Sequence, residues 1–337
     1  MKEFHEKNIN YCIQLAQKGL GYVSPNPMVG AVLIYNHHII GQGWHQYYGG
    51  PHAEKNAIDN AIELGNEYLI SESTLYVSLE PCNHFGKTPP CTQLILQYHI
   101  KRVVFGTFDP NPTMAGKSIA NLIQKGIEVI GPILEKTCNQ LIQTFRINIF
   151  HSRPYVILKY AQSADYFISN WGKTIKISNL YTDKLVHKWR SESDGILIGR
   201  TTLQIDNPLL NNRHWHGKNP KIIIWTTQNQ FINSDYKIFQ HSENPILTSQ
   251  ITHENTLESI LKSLYVEKKL GIILVEGGSK VLNGFIESGF WDEARIITNT
   301  KLRLENGIAA PKIQGKLIES DHLLNDKIQY IQRQGIT

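Results

Sequence analysis

No apolar run in this chain approaches the roughly 20 residues that cross a bilayer, so a membrane-spanning helix is not expected. The start, Met1 to Asn10, is polar and lacks the apolar core of a secretory signal. Cysteine is scarce, with 4 in 337 residues, too few for a disulfide framework in a chain this long. Dense runs of Lys and Arg are also absent, and the formal net charge is only +5. That balance suits an anionic small substrate or cofactor and does not call for nucleic acid. These absences together predict a protein of the reducing cytoplasm. The length exceeds that of one ordinary domain, which predicts two. A hydrophobic share of 41% suffices for packed cores.

Two of the cysteines fall into a metal-binding pattern. His52-Ala53-Glu54 is followed by Pro81-Cys82 and Pro90-Cys91. A hydrolytic zinc deaminase reads H-x-E…P-C-x-x-C, with His and two Cys on the metal and the Glu moving protons. His52, Cys82 and Cys91 are therefore predicted zinc ligands, and Glu54 the proton shuttle. Three protein ligands leave the fourth tetrahedral position to water, which makes a site catalytic rather than structural. An H-x-E triplet alone arises by chance, and a lone Cys is usually a small buried hydrophobe. Two Pro-Cys pairs downstream of H-A-E outweigh that reading. A structural zinc needs a fourth protein ligand, and His45 or His84 keeps that alternative open. Cys12 and Cys138, in helix-like segments, are expected to be buried thiols.

Hydrophobic spacing predicts helices over 4–20, 53–64, 92–97, 115–125 and 134–150, with strands over 29–35, 39–43, 74–79, 102–106 and 127–130. The β-α-β-α-β order predicts a sheet covered by helices. Ser152-Arg153-Pro154 breaks the chain, and a domain boundary is placed near residue 150. Beyond it the pattern predicts strands over 155–160, 195–199, 221–225, 271–275 and 293–298, and helices over 181–191 and 279–287. Residues 299–337 carry no readable pattern. His52 and Glu54 thus open one helix and Cys91 the next, where the positive helix end favours a thiolate. Eight residues separate Cys82 from Cys91, so the intervening loop must double back beside the metal. His84, Lys87 and Thr88 in that loop become candidate substrate contacts.

These motifs resemble a known family. H-A-E, then L-E-P-C-N-H-F-G-K-T-P-P-C, preceded by P-N-P-M-V-G-A-V and G-W-H, looks like the bifunctional deaminase/reductase of bacterial riboflavin biosynthesis. Asp109-Pro110-Asn111-Pro112 with Ala115-Gly116-Lys117 matches as well. In the second half, Arg153-Pro154-Tyr155-Val156, Leu158-Lys159, Gly199 through Asp206-Asn207-Pro208-Leu209-Leu210…Arg213, and Glu276-Gly277-Gly278 match too. The resemblance implies an α/β protein: a cytidine-deaminase-like three-layer α/β/α domain over 1–150, then a dihydrofolate-reductase-like α/β domain over 151–337.

It also implies zinc and NADPH as cofactors and a pyrimidine ribose phosphate as substrate, with no nucleic acid or membrane partner and a homo-oligomer through the reductase domain. The first domain would deaminate 2,5-diamino-6-(phosphoribosylamino)pyrimidin-4-one, with Asn26, His84, Lys87 and Thr88 on the substrate. The second would use NADPH to reduce the ribosyl group to ribityl. Motif position assigns Ala161, Lys176, Thr202, Asp206, Gly277, Gly278 and Ser279 to the cofactor. It assigns Thr174, Arg190, Leu210, Arg213 and Glu276 to the reductase substrate. Arg190 and Arg213 suit a phosphate, which guanidinium binds in bidentate fashion. The chain departs from the family where Ser163-Ala164-Asp165-Tyr166 replaces Ser-Leu-Asp-Gly and where Lys176 replaces a tryptophan. Two other readings use the same zinc motif: a nucleic-acid base deaminase such as a tRNA-editing enzyme, and a deaminase whose second domain is inactive.

Overall fold

The computed structural model describes residues 1–83, 89–170, 175–226, 235–240, 244–250 and 256–335. The chain forms two compact units, Met1–His151 and Ser152–Thr337. The first contains α1 (Lys2–Gln17), β1 (Gly30–Tyr35), β2 (His38–Trp44), α2 (Ala53–Glu63), β3 (Thr74–Val77), α3 (Cys91–Gln97), β4 (Arg102–Phe105), α4 (Lys117–Gln124), β5 (Glu128–Ile130), α5 (Glu135–Leu141) and α6 (Gln143–His151). The single helix predicted over 134–150 is therefore two, broken at Ile142.

The five strands lie in the order β2-β1-β3-β4-β5, antiparallel from β2 to β3 and parallel from β3 to β5. Side chains alternate across a strand, so each sheet face collects its own core. Leu33, Leu75, Val77, Val103 and Phe105 meet Ala57 and Ile58 of α2, Ile95 of α3 and Leu122 of α4. Val32, Ile34, Tyr76 and Val104 face the other way, onto Ile9 and Cys12 of α1 and Cys138 of α5. Helices on both faces make the three layers. The approach of α2 to the sheet requires glycine in β2, because a Cβ on Gly43 would collide with the backbone nitrogen of Ala57. That contact draws the start of α2, with His52 and Glu54, down onto the sheet.

The second unit contains β6 (Tyr155–Gln162), β7 (Phe167–Ser169), α7 (Leu180–Ser191), β8 (Gly195–Gly199), α8 (Arg200–Asp206), β9 (Lys221–Trp225), β10 (Ile246–Leu247), α9 (Leu257–Val266), β11 (Ile272–Gly277), α10 (Ser279–Ser288), β12 (Glu293–Asn299), β13 (Ile308–Ala309), β14 (Lys316–Leu323) and β15 (Asp326–Gln332). Its sheet runs β10-β9-β8-β11-β6-β12-β15-β14. The first six are parallel and the last two antiparallel. Leu197, Ile223, Ile273 and Val275 pack under α9 and α10, while Ile196, Ile198, Ile222 and Ile224 pack against Leu203 of α8. Burial on both faces explains why β8 reads as a continuous apolar run. The segment that carried no pattern forms β13, β14 and β15. Seven of the eight residues of β14 are exposed, so no alternation marks it.

Arg153 has a structural role. Its guanidinium grips Asp292 in a buried bidentate pair at 2.6 and 2.7 Å, joining the start of β6 to the entry of β12. The departure at 163–166 also has a structural consequence. Asp165 accepts N–H bonds from Leu304 and Glu305 and a 2.6 Å bond from Ser163 Oγ. Hydrogen bonding from Ser163 lowers its pKa to about 2. Tyr166 next to it has φ 65°, the left-handed region that a glycine occupies without penalty. Tyr166→Gly is therefore expected to stabilise the second unit by about 1 kcal/mol, read as a rise in its unfolding midpoint in urea. No helix among the described residues is long and apolar enough to cross a membrane.

Candidate active sites

His52 stands in extended conformation immediately before α2. Its Nδ1 lies 3.4 Å from Cys82 Sγ and 3.4 Å from Cys91 Sγ. Cys91 opens α3 and donates its backbone N–H to Cys82 Sγ at 3.3 Å. All three ligand atoms lie within 4.8 Å of one another. A tetrahedral zinc with ordinary Zn–N and Zn–S lengths separates N from S by about 3.6 Å, so the donor set and its spacing fit the ion. The hydrogen bond between Cys91 and Cys82, aided by His52, brings Cys82 down to about 4, into the thiolate form that binds metal. Cys91 is raised by that same bond and by burial.

His45 is not a fourth ligand. Its Nδ1 donates to Pro51 O at 2.9 Å, and its Nε2 accepts from Asn26 Nδ2 at 3.1 Å. Burial lowers its pKa, so the neutral ring can act in both ways. His45 thereby orients Asn26, which the family resemblance implies is a substrate contact. Among the described residues the metal group contains only His52, Cys82 and Cys91. His84, Lys87 and Thr88 lie outside the described residues, as does Thr174.

A cavity of about 350 Å³ opens beside these ligands, lined by Asn26, His45, His52, Glu54, Glu80 and Cys82 among others. Glu54 is only 3% exposed. Burial and then the charge of Cys82 push its pKa up, toward the range in which a carboxyl both takes and gives a proton. Asp109, Asn111 and Met114 form one wall, with Phe145 and Ile149 of α6 beside them. The apolar contacts of α6 were not legible, because helical spacing alone does not say which face meets a cavity. Cys91→Ser is expected to abolish zinc retention and lower the melting midpoint of the first unit by about 5 °C. Metal analysis and calorimetry check this.

In the second unit, Arg190 of α7 donates from Nε and Nη2 to the two carboxylate oxygens of Glu276, at 2.7 and 2.8 Å. Nε and Nη2 of the fork expected to bind phosphate thus engage Glu276. Lys159 of β6 stands 3.7 Å from Glu276 and joins the cluster, a contact that no local motif marks. Arg190 also donates to Asn211 O, whose side chain accepts from Arg213 Nη1. Arg213 is exposed, and its backbone N–H donates to His187 Nδ1. Burial, followed by the charges of Arg190 and Arg213, holds His187 at about 4, leaving that nitrogen free to accept.

Glu276 leads into Gly277 and Gly278 before α10, which Ser279 opens. A Cβ on Gly278 would come 2.9 Å from Thr202 Oγ1, so Thr202 and the Gly-Gly turn face each other closely. Asp206 ends α8, its carboxyl raised by burial. Ala161 lies on β6. Leu210 does not offer its side chain to a ligand: it is 3% exposed and packs with Ile196, Ile198 and Leu203. Lys176 pairs with Asp183 of α7 at 2.5 Å.

The cytidine and deoxycytidylate deaminase zinc-binding region matches residues 2–107, and the RibD C-terminal domain matches residues 154–302. The riboflavin biosynthesis protein RibD of Aquifex aeolicus is 34% identical over 94% of this chain and 89% of its own length. This chain belongs to the RibD family. It is a bifunctional deaminase and reductase of riboflavin biosynthesis, with a cytidine-deaminase-like first domain and a RibD reductase domain after it. RibD of Synechocystis is 37% identical over 78% of this chain and 70% of its own length. Among solved structures, the diaminohydroxyphosphoribosylaminopyrimidine deaminase/5-amino-6-(5-phosphoribosylamino)uracil reductase of Thermotoga maritima superposes with a TM-score of 0.87. It is 33% identical, covering 98% of this chain and 99% of that one. RibD of Acinetobacter baumannii superposes at 0.89 with 27% identity, over 98% of this chain and 99% of that one. The RibD match in the second half ends before β13, β14 and β15.

Proposed function

We propose that the first unit deaminates 2,5-diamino-6-(phosphoribosylamino)pyrimidin-4-one and that the second reduces its ribosyl group to ribityl with NADPH. The observation that carries the first half is that the zinc-spaced cluster of His52, Cys82 and Cys91 adjoins a cavity lined by His52, Cys82 and the buried carboxyl of Glu54. His52, Cys82 and Cys91 would hold a zinc ion, whose Lewis acidity would bring the pKa of water to about 7. Glu54 takes a proton from the attacking water and returns it to the exocyclic amine, which departs as ammonia while the ring carbon keeps the oxygen. Asn26, oriented by His45, holds the ring, and His84, Lys87 and Thr88 complete the substrate contacts.

Bound in the second unit, NADPH would supply the hydride that the ribosyl C1 accepts. Gly277, Gly278 and Ser279, at the start of α10, offer backbone N–H groups to its phosphates, with Ala161, Lys176, Thr202 and Asp206 alongside. Lys159, held by Glu276, carries a transferable ammonium proton that the Arg190 guanidinium does not release. Arg213, exposed beside the cluster, receives the substrate phosphate. Thr174 and the backbone at Leu210 complete that subsite, with Arg190 acting through Glu276.

The free buried thiols Cys12 and Cys138 suit a reducing cytoplasm. The proposal includes a homo-oligomer through the reductase unit, which light scattering of the purified protein tests. The decisive assay gives the protein the diaminopyrimidine phosphate with and without NADPH. Ammonia release without NADPH, and nicotinamide oxidation that follows it, are expected. Ammonia release with no nicotinamide oxidation would identify the second unit as inactive, and no ammonia release would overturn the deaminase reading.

A further inference from the structure

Glu80 is 5% exposed, lies two residues before the ligand Cys82, and lines the deaminase cavity. Both of its carboxylate oxygens are spent on one loop. Oε2 accepts the backbone N–H of Asp109 at 3.1 Å and of Gly116 at 2.9 Å. Oε1 accepts the N–H of Ser118 at 3.2 Å and its hydroxyl at 2.6 Å. The backbone N–H of Glu80 donates to Thr107 O at 2.8 Å, tying down the strand end from which the loop departs. The loop between these anchors carries Asp109, Asn111 and Met114 into the cavity. Within it, Asp109 Oδ1 accepts from the Asn111 N–H, and Asn111 Oδ1 accepts from the N–H and hydroxyl of Thr113. Those bonds occupy Asn111 Oδ1 and leave its Nδ2 to donate toward a ligand.

We propose that Glu80 is a positioning residue of the deaminase: one carboxylate sets the distance between the metal-ligating segment and the 109–116 wall, so that the wall meets a substrate already seated at the metal. The inference rests on the deaminase reading above. Four donors converge on the two carboxylate oxygens of Glu80, and an amide would direct its own N–H groups at two of them. Glu80 touches neither the metal ligands' donor atoms nor the departing amine, so its loss should weaken substrate binding more than turnover. A displacement of about 1 Å at such a wall changes rate or binding by up to about 100-fold.

The test compares wild type, Glu80→Gln, Ser118→Ala, Asn111→Ala and the Glu80→Gln/Asn111→Ala double variant on the diaminopyrimidine phosphate, with zinc content and NADPH-dependent reduction measured on the same samples. Glu80→Gln is expected to keep its zinc and its reductase rate, to raise the deaminase KM about tenfold, and to keep kcat within about threefold. Asn111→Ala should then add little in the double variant, because the residue is already displaced. Ser118→Ala, which removes one of the four donors, should raise KM in the same direction by a smaller factor. Loss of zinc, a fall in kcat at constant KM, or full additivity with Asn111→Ala would overturn the inference. If Glu80→Gln does not fold, Ser118→Ala decides: a raised KM at steady kcat supports the role, and an unchanged KM ends it. An inactive wild type would instead refute the deaminase reading itself, so the two failures are distinguishable.

Discussion

Glu54→Gln is expected to lower the deaminase kcat by about 1,000-fold or more while leaving zinc bound. A positioned general acid–base contributes roughly 100- to 10,000-fold, and in the proposed mechanism this carboxyl serves both proton transfers. Glutamine keeps the shape of the side chain and cannot accept the water's proton. Glu54 is not part of the metal group, so occupancy should persist. Its burial raises the pKa, which means the folded chain gains nothing from the charge, and the neutral amide should leave thermal stability unchanged or slightly higher. Ammonia release, metal analysis and a melt on one preparation check all three points. Retained turnover would remove Glu54 from the mechanism, and loss of zinc would make it a structural member of the metal site.

Glu276→Gln should disable the other half. Burial alone would raise this carboxyl, but the charges of Arg190 and Lys159 and the hydrogen bonds from Arg190 prevail and hold it at about 2. The substitution leaves the Arg190 and Lys159 side chains, 12% and 14% exposed, without their counter-charge. Breaking a buried pair by removing one partner costs about 3–5 kcal/mol, so the urea transition of the second unit should move by that amount at pH 7. Reduction should be lost, while ammonia release by the first unit continues. The pH dependence follows from the depressed value. An unfolded Glu titrates near 4.3, so the stability contributed by the folded carboxylate is complete above that pH. It is lost as pH falls toward about 2. Wild type should therefore lose its advantage over Glu276→Gln across that window, and an advantage that persists at pH 2 would contradict the assignment.

Much of the first site was legible because its chemistry is local. His52 and Glu54 are two residues apart, and each Cys follows a proline. The central β-strands announce themselves as short, nearly continuous apolar runs, because helices cover both faces of each sheet. Elements were missed where the signal was short or solvated. The strand β14 exposes almost every side chain, α8 has one buried residue, and β10 and β13 are two residues each. The helix α9 carried a readable start: the Thr256 side chain accepts the Ser259 N–H. The split between α5 and α6 was not legible, because apolar spacing continues across Ile142.

By itself the sequence pointed to His52, Glu54, Cys82 and Cys91 as one cluster and to the alternating sheet-and-helix plan, since each depends on residues close together along the chain. Tertiary structure alone decided that Arg190 closes on Glu276, 86 residues away. It also decided that His45 serves Asn26 instead of the metal, that Leu210 turns into the core, and that Glu80 reaches the 109–118 loop. Such pairings depend on which strands become neighbours and in what register, and no local pattern of residues encodes the distance between two side chains that only a finished sheet brings together.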